Sequence, residues 1–114
     1  MPVVFVIGEE WTFRAGIRAE LCERGIKALG MGCAADVGQA IAAGEMPTAL
    51  VIDGRAKAAS DPAVQQLVGR VPAVVIAPRT TSVALGSAAK VLFRPIQIGE
   101  IVAAVVELVK SRGG

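Results

Sequence analysis

The run Val91-Leu92-Phe93-Arg94-Pro95-Ile96-Gln97-Ile98-Gly99-Glu100-Ile101, near the C-terminus, decides the fold. Three strand formers lead into a basic residue and a proline. Pro95 has a fixed φ and no N–H to give to a sheet, so a strand must end there. The residues beyond Pro95 have the period of a helix. Ile98, Ile101, Val102, Val105 and Val109 recur at i, i+3, i+4, i+7 and i+11 and line one face. A strand that turns at once into an amphipathic helix is one β–α unit, and the rest of the chain repeats it.

Val3 to Ile7 is a continuous apolar run, as expected of a strand buried on both faces, and Gly8-Glu9-Glu10 ends it. Phe13, Ile17 and Leu21 at i, i+4 and i+8 predict a helix from Thr12 to Arg24, with Gly25 as its stop. Ile26 to Leu29 reads as a short second strand, and Ala34 to Ala43 as a second helix closed by Gly44 and Met46-Pro47. Thr48 to Ile52 is the third strand, ended by Asp53-Gly54. Asp61-Pro62 has the form of an N-cap followed by proline at the first helical position, opening a helix to Val68. Ala73 to Ile76 is the fourth strand, Thr80 to Ala89 a short helical segment, and Val91 to Phe93 the fifth strand. The last helix runs from Ile98 to Lys110, ahead of a frayed Ser-Arg-Gly-Gly tail.

Five strands alternating with helices, with no hairpin signal, demand a parallel sheet with right-handed crossovers. The expected class is α/β: a doubly wound, flavodoxin-like five-stranded sheet of order 2-1-3-4-5, with helices on both faces. Its switch point lies between strands 1 and 3, and ligand chemistry gathers at the carboxyl ends of those strands. The residues there are Glu9 and Asp53.

Composition narrows the function classes. The 114 residues suit a single domain, 1–114, with no room for a second. Apolar residues make up 54% and aromatic ones 4%, so the core is aliphatic. Twelve basic residues against ten acids leave a net charge of +2. They are scattered, which argues against nucleic acid or an anionic membrane as partner. Histidine is absent, which removes His-based catalysis, His metal ligands and phosphohistidine. Cys22 and Cys33 lack metal or redox spacing and read as reduced thiols of a cytoplasmic protein, with Cys22 half-buried on the first helix. No apolar run is long enough to span a membrane.

In register, nearly the whole chain resembles the response-regulator receiver family of two-component signalling. Ile7-Gly8-Glu9-Glu10-Trp11 stands where that family has Val-Asp-Asp-Glu-Pro. Arg14, Ile17, Leu21 and Gly25 lie at its spacing. Pro47 to Asp53 is similar to Pro-Asp-Leu-Val-Leu-Leu-Asp, whose last residue accepts the phosphoryl group. Pro72 to Pro78 covers the fourth strand, and Arg94-Pro95 takes the place of a Lys-Pro pair. The resemblance implies a phosphorelay module without an output domain and without enzymatic turnover. It also implies a histidine kinase or another signalling protein as partner. Asp53 falls at the phosphoacceptor position and Arg94 at the basic position of the phosphoryl site.

Other family positions are altered. Gly8 replaces the first acid, so a Mg²⁺ ion would have only Glu9 and Asp53, and the expected cofactor is none or a weakly held Mg²⁺. Ala77 lacks the hydroxyl of the usual switch residue, and Val91 stands where an aromatic switch residue is common. Arg94 keeps the charge as a planar fork rather than a compact ammonium. Against the family's pattern, the loop after Asp53 is several residues short and the second β–α loop carries about three extra residues. The sum is a degenerate, pseudo-receiver-like domain.

Three function classes fit these residues. The first is an atypical receiver with an impaired phosphorylation site that works by protein contacts. The second is a conventional receiver phosphorylated on Asp53 by a histidine kinase. The third is a nucleotide- or anion-binding module using Gly30-Met31-Gly32, because Gly30-x-Gly32-x-x-Ala35 has the outline of a dinucleotide fingerprint. Plainer readings stand beside them: Asp53-Gly54 as a simple turn, an Arg94–Asp53 ion pair as a structural remnant, and Glu9 and Glu10 as acids at a helix N-terminus. Ala103 and Val106 extend the last helix's stripe toward a homodimer contact.

Overall fold

In the computed structural model, residues 2–77 and 90–113 are described. The elements are β1 (Val3–Ile7), α1 (Trp11–Glu23), β2 (Lys27–Met31), α2 (Ala34–Ala42), β3 (Ala49–Asp53), a 3-10 turn (Lys57–Ser60), α3 (Pro62–Val68), β4 (Ala73–Ala77), β5 (Lys90–Phe93) and α4 (Ile98–Gly113). The helical segment expected at Thr80–Ala89 lies outside the described residues. The five strands form one all-parallel sheet of order β2-β1-β3-β4-β5, as the alternation of elements requires.

Strand alternation builds two cores. Phe5, Ile7, Leu50, Ile52, Ala73 and Val75 point to one side, where Val37 of α2 and Val64, Leu67 and Val68 of α3 cover them. Val4, Val6, Ala49, Val51, Val74 and Ile76 point to the other side, onto Ile17 and Leu21 of α1 and Ile101, Val102 and Val105 of α4. The central strands have no polar face, and this explains their unbroken apolar runs. Burying Ile17 and Leu21 contributes about 3–6 kcal/mol, enough to dock a helix that has no side-chain N-cap.

Two glycines end helices for a conformational reason. Gly25 (φ 75°) and Gly44 (φ 94°) adopt the left-handed conformation just past α1 and α2. After α1, the Gly25 N–H donates to the Cys22 carbonyl and Ile26 N–H to Leu21, both at 3.0 Å. After α2, the same pattern runs from Gly44 to Ile41 and from Glu45 to Ala40. Both are Schellman closures, which use carbonyls the helix leaves open. Asp61 caps α3 as its Asp-Pro signature predicts, accepting from the Ala63 N–H at 2.9 Å.

Three local expectations need correction. β2 begins one residue later than Ile26 and extends through Met31, because Val3 to Ile7 of β1 pair with all of Lys27 to Met31. Only Gly32 and Cys33 connect it to α2, so the apparent extra loop residues are strand. Cys22 is exposed rather than half-buried, since it lies off the Ile17–Leu21 face. Among the described residues, no helix is long and apolar enough to cross a membrane.

Candidate functional site

Parity along the strands assembles the site. Position 8 continues the parity of Val4 and Val6, Asp53 that of Ala49 and Val51, and Arg94 that of Leu92. Since Ile7 pairs with Ile52, Gly8 and Asp53 are adjacent at the carboxyl ends of β1 and β3, at the switch point. All three positions face the α1 side of the sheet, so the first turn of α1 lies over them.

Asp53 is the only buried charged residue among the described ones, 3% exposed. Its two oxygens are held from opposite sides. Oδ1 accepts the backbone N–H of Arg55 at 3.0 Å, an Asx-type turn, and lies 3.5 Å from Arg55 Nε. Oδ2 lies 3.2 Å from Arg94 Nη2. The turn itself depends on Gly54. Its N–H donates to the Ile76 carbonyl at 2.7 Å, and a Cβ on residue 54 would sit 2.9 Å from that oxygen.

Arg94 directly follows β5 and is joined to Pro95 by a cis peptide; its N–H donates to the Ala77 carbonyl at 2.9 Å. Its guanidinium carbon stands 5.9 Å from the centre of the Phe13 ring, within reach of a cation–π attraction. Nε is buried and has no hydrogen-bond partner among the described residues. Phe13 also fills the space beside Gly8. A Cβ on residue 8 would meet Phe13 Cδ1 at 2.8 Å and Asp53 Cβ at 3.3 Å.

The neighbouring acids turn elsewhere. Glu9 Oε2 accepts the Lys57 N–H at 2.8 Å and so caps the 3-10 turn. Glu10 pairs with Arg55 Nη2 at 2.9 Å. Neither carboxylate caps α1, although both precede it, because backbone and side-chain donors beyond β3 are better placed. Glu9, Glu10, Asp53, Arg55 and Ala56 line a shallow, open cleft of about 250 Å³. Among the described residues no group of three or more His, Cys, Asp or Glu is arranged to hold a metal ion.

The two positions expected to act as switches are apolar: Ala77 is fully buried, and Val91 is half-buried in β5. Arg14 ties down the end of β1, donating from Nη1 to the Gly8 carbonyl at 2.6 Å and to that of Glu9 at 3.0 Å. The Gly30-Met31-Gly32 stretch does not form a phosphate cradle. Gly30 and Met31 are strand residues, Gly30 lies under the Arg14 and Arg18 side chains, and the Gly32 N–H donates to Asp36 Oδ2 at 3.0 Å. A carboxylate already takes the place an anion would need.

Sequence reasoning brought Asp53, Glu9 and Arg94 to one end of the sheet but missed Arg55 and the site role of Phe13. The Asp53-Gly54 turn was the available signal for Arg55, since such a turn folds the next residue's N–H back onto the carboxylate.

No family model matches the chain, and no curated protein matches it. Solved structures do. A response regulator receiver protein from Burkholderia phymatum is similar at a TM-score of 0.79 and 19% identity, over 96% of each chain. A Francisella response regulator receiver domain is similar at 0.77 and 18%, over 97% of this chain and 98% of that one. A response regulator receiver protein from Pseudomonas putida gives 0.73 and 20%, over 96% of each. The chain therefore has the receiver fold, with its flavodoxin-like sheet order.

Proposed function

We propose that this chain is an atypical response-regulator receiver domain, with an impaired phosphorylation site at Asp53, that acts by docking to a histidine kinase or another signalling protein in the cytoplasm. The observation behind this reading is the double clamp on Asp53: Arg55 holds Oδ1 and Arg94 holds Oδ2. A carboxylate that attacks a phosphoryl group needs a free oxygen and charge neutralisation on the incoming oxyanion. Here the guanidinium groups face the nucleophile itself. The arrangement supplies no base to pair with a nucleophile, so the domain is assigned no turnover of its own.

Intact-mass spectrometry after incubation with acetyl phosphate and Mg²⁺, beside an Asp53→Asn control, tests the reading. The expected result is an unmodified wild-type mass. A phosphoryl adduct on wild type that the control lacks would instead establish a conventional phosphorylatable receiver.

A further inference from the structure

Receiver folds of the ordinary kind imply a Mg²⁺ ion at this end of the sheet, and the residues of this chain do not fit one. Mg²⁺ needs oxygen ligands in a near-octahedral shell, drawn from carboxylates and water. Position 8 offers no side chain, and a Cβ there would collide with the Phe13 ring at 2.8 and 3.0 Å. Glu9 is turned away to the Lys57 N–H and Glu10 to Arg55. Asp53 faces two guanidinium groups, at 3.2 Å and 3.5 Å.

We infer that the site is a metal-free lock, in which Phe13 occupies the space of the missing acid and Arg94 and Arg55 supply the positive charge that Asp53 faces. Phe13 has two functions in it. Its edge closes the space next to Gly8, and its face lies under the Arg94 guanidinium at 5.9 Å, where Nε has no other partner among the described residues. Gly8 and Phe13 are therefore a coupled pair: a side chain at 8 and a ring at 13 exclude each other. A ring pivoting from Cβ cannot give way as the tip of a long aliphatic chain does, so an acid introduced at position 8 alone has no room to ligate.

The inference rests on the impaired-site reading, and its test is separate from the phosphodonor experiment. Mn²⁺ serves as the probe, with the free ion followed by its electron paramagnetic resonance signal and folding checked by circular dichroism. Wild type and Gly8→Asp should leave millimolar Mn²⁺ free. Gly8→Asp combined with Phe13→Ala should bind it saturably, about tenfold or more tighter than either single variant, and adding Asp53→Asn should abolish that binding.

Saturable, Asp53-dependent binding by wild type would overturn the lock, as would binding by Gly8→Asp alone as tight as by the double variant. A folded double variant that binds nothing would overturn it too. If the double variant does not fold, the wild-type and Gly8→Asp titrations still decide. A phosphoryl adduct on wild type in the presence of EDTA would end the impaired-site reading and leave the lock intact. Asp53-dependent Mn²⁺ binding without an adduct would do the reverse.

Discussion

Asp53 is buried at a strand end where its charge is met by side chains rather than water, so each substitution at the site has a distinct signature. Asp53→Ala removes the acceptor of the Arg55 N–H and the anion facing Arg94. A buried pair broken from one side is costly, but Arg94 and Arg55 keep access to water. We therefore expect a loss of about 1–3 kcal/mol in urea unfolding. Asp53→Asn keeps an oxygen for the Arg55 N–H and should lose less, about 1 kcal/mol. Equal losses would mean that the turn hydrogen bond contributes nothing. At Gly54, an added Cβ meets a backbone oxygen that cannot move aside, so Gly54→Ala should cost about 1–3 kcal/mol. At Gly16 the obstacle is the end of the Ile98 side chain. There the gain in helix propensity, about 0.5–1 kcal/mol, offsets an off-rotamer cost of similar size. Gly16→Ala should thus lie near neutral, and a larger loss there than at Gly54 would contradict this account of the two close approaches.

At the scale of elements, the strands and helices were legible because period and punctuation agreed. Val3–Ile7, Asp61-Pro62 and the Phe93-Arg94-Pro95 stop each carry a steric or hydrogen-bonding reason that survives any tertiary context. β2 was legible only in part. Gly30 and Met31 look like loop residues, and it is pairing with Val6 and Ile7 that makes them strand. The site was less legible than the fold for a similar reason. Phe13 falls on the apolar face of α1 by period alone, yet its contact with position 8 arises only because the Gly8–Glu10 turn folds the helix back over the sheet. Arg55 is an exposed arginine with no periodic context, and its direction is set by the Asp53-Gly54 turn. α1 offers a contrast that tests the packing assignment. Ile17→Ala, in a site with no exposure, should cost about 2–5 kcal/mol. Cys22→Ser, exposed on the same helix, should stay within about 0.5 kcal/mol. Thermal or urea unfolding of the two variants reads the difference directly.

Across the whole molecule, stability is concentrated in the centre of the sheet and the candidate site sits on its rim. β3 and β4 are buried throughout, β1 nearly so, whereas β2 and β5 at the two edges are mostly half-buried or exposed. Amide hydrogen exchange should therefore be slowest in β1, β3 and β4 and faster by orders of magnitude in β2 and β5, since edge strands open without disturbing the two cores. Uniform protection across all five strands would contradict this gradient. The rim position lets Asp53 be fixed by residues of three strand ends and one helix without weakening the core beneath it.

The central claim, that Asp53 is locked by arginines and an aromatic ring and does not take a phosphoryl group with Mg²⁺, has a direct test. The measurement is a backbone amide NMR spectrum of the ¹⁵N-labelled chain, titrated with Mg²⁺ and beryllofluoride, a phosphoryl mimic that coordinates a free carboxylate. The account predicts that the resonances of Gly8, Gly54 and Arg55 stay where they are throughout the titration. Saturable shifts at those three residues, absent from the Asp53→Asn variant, would contradict it.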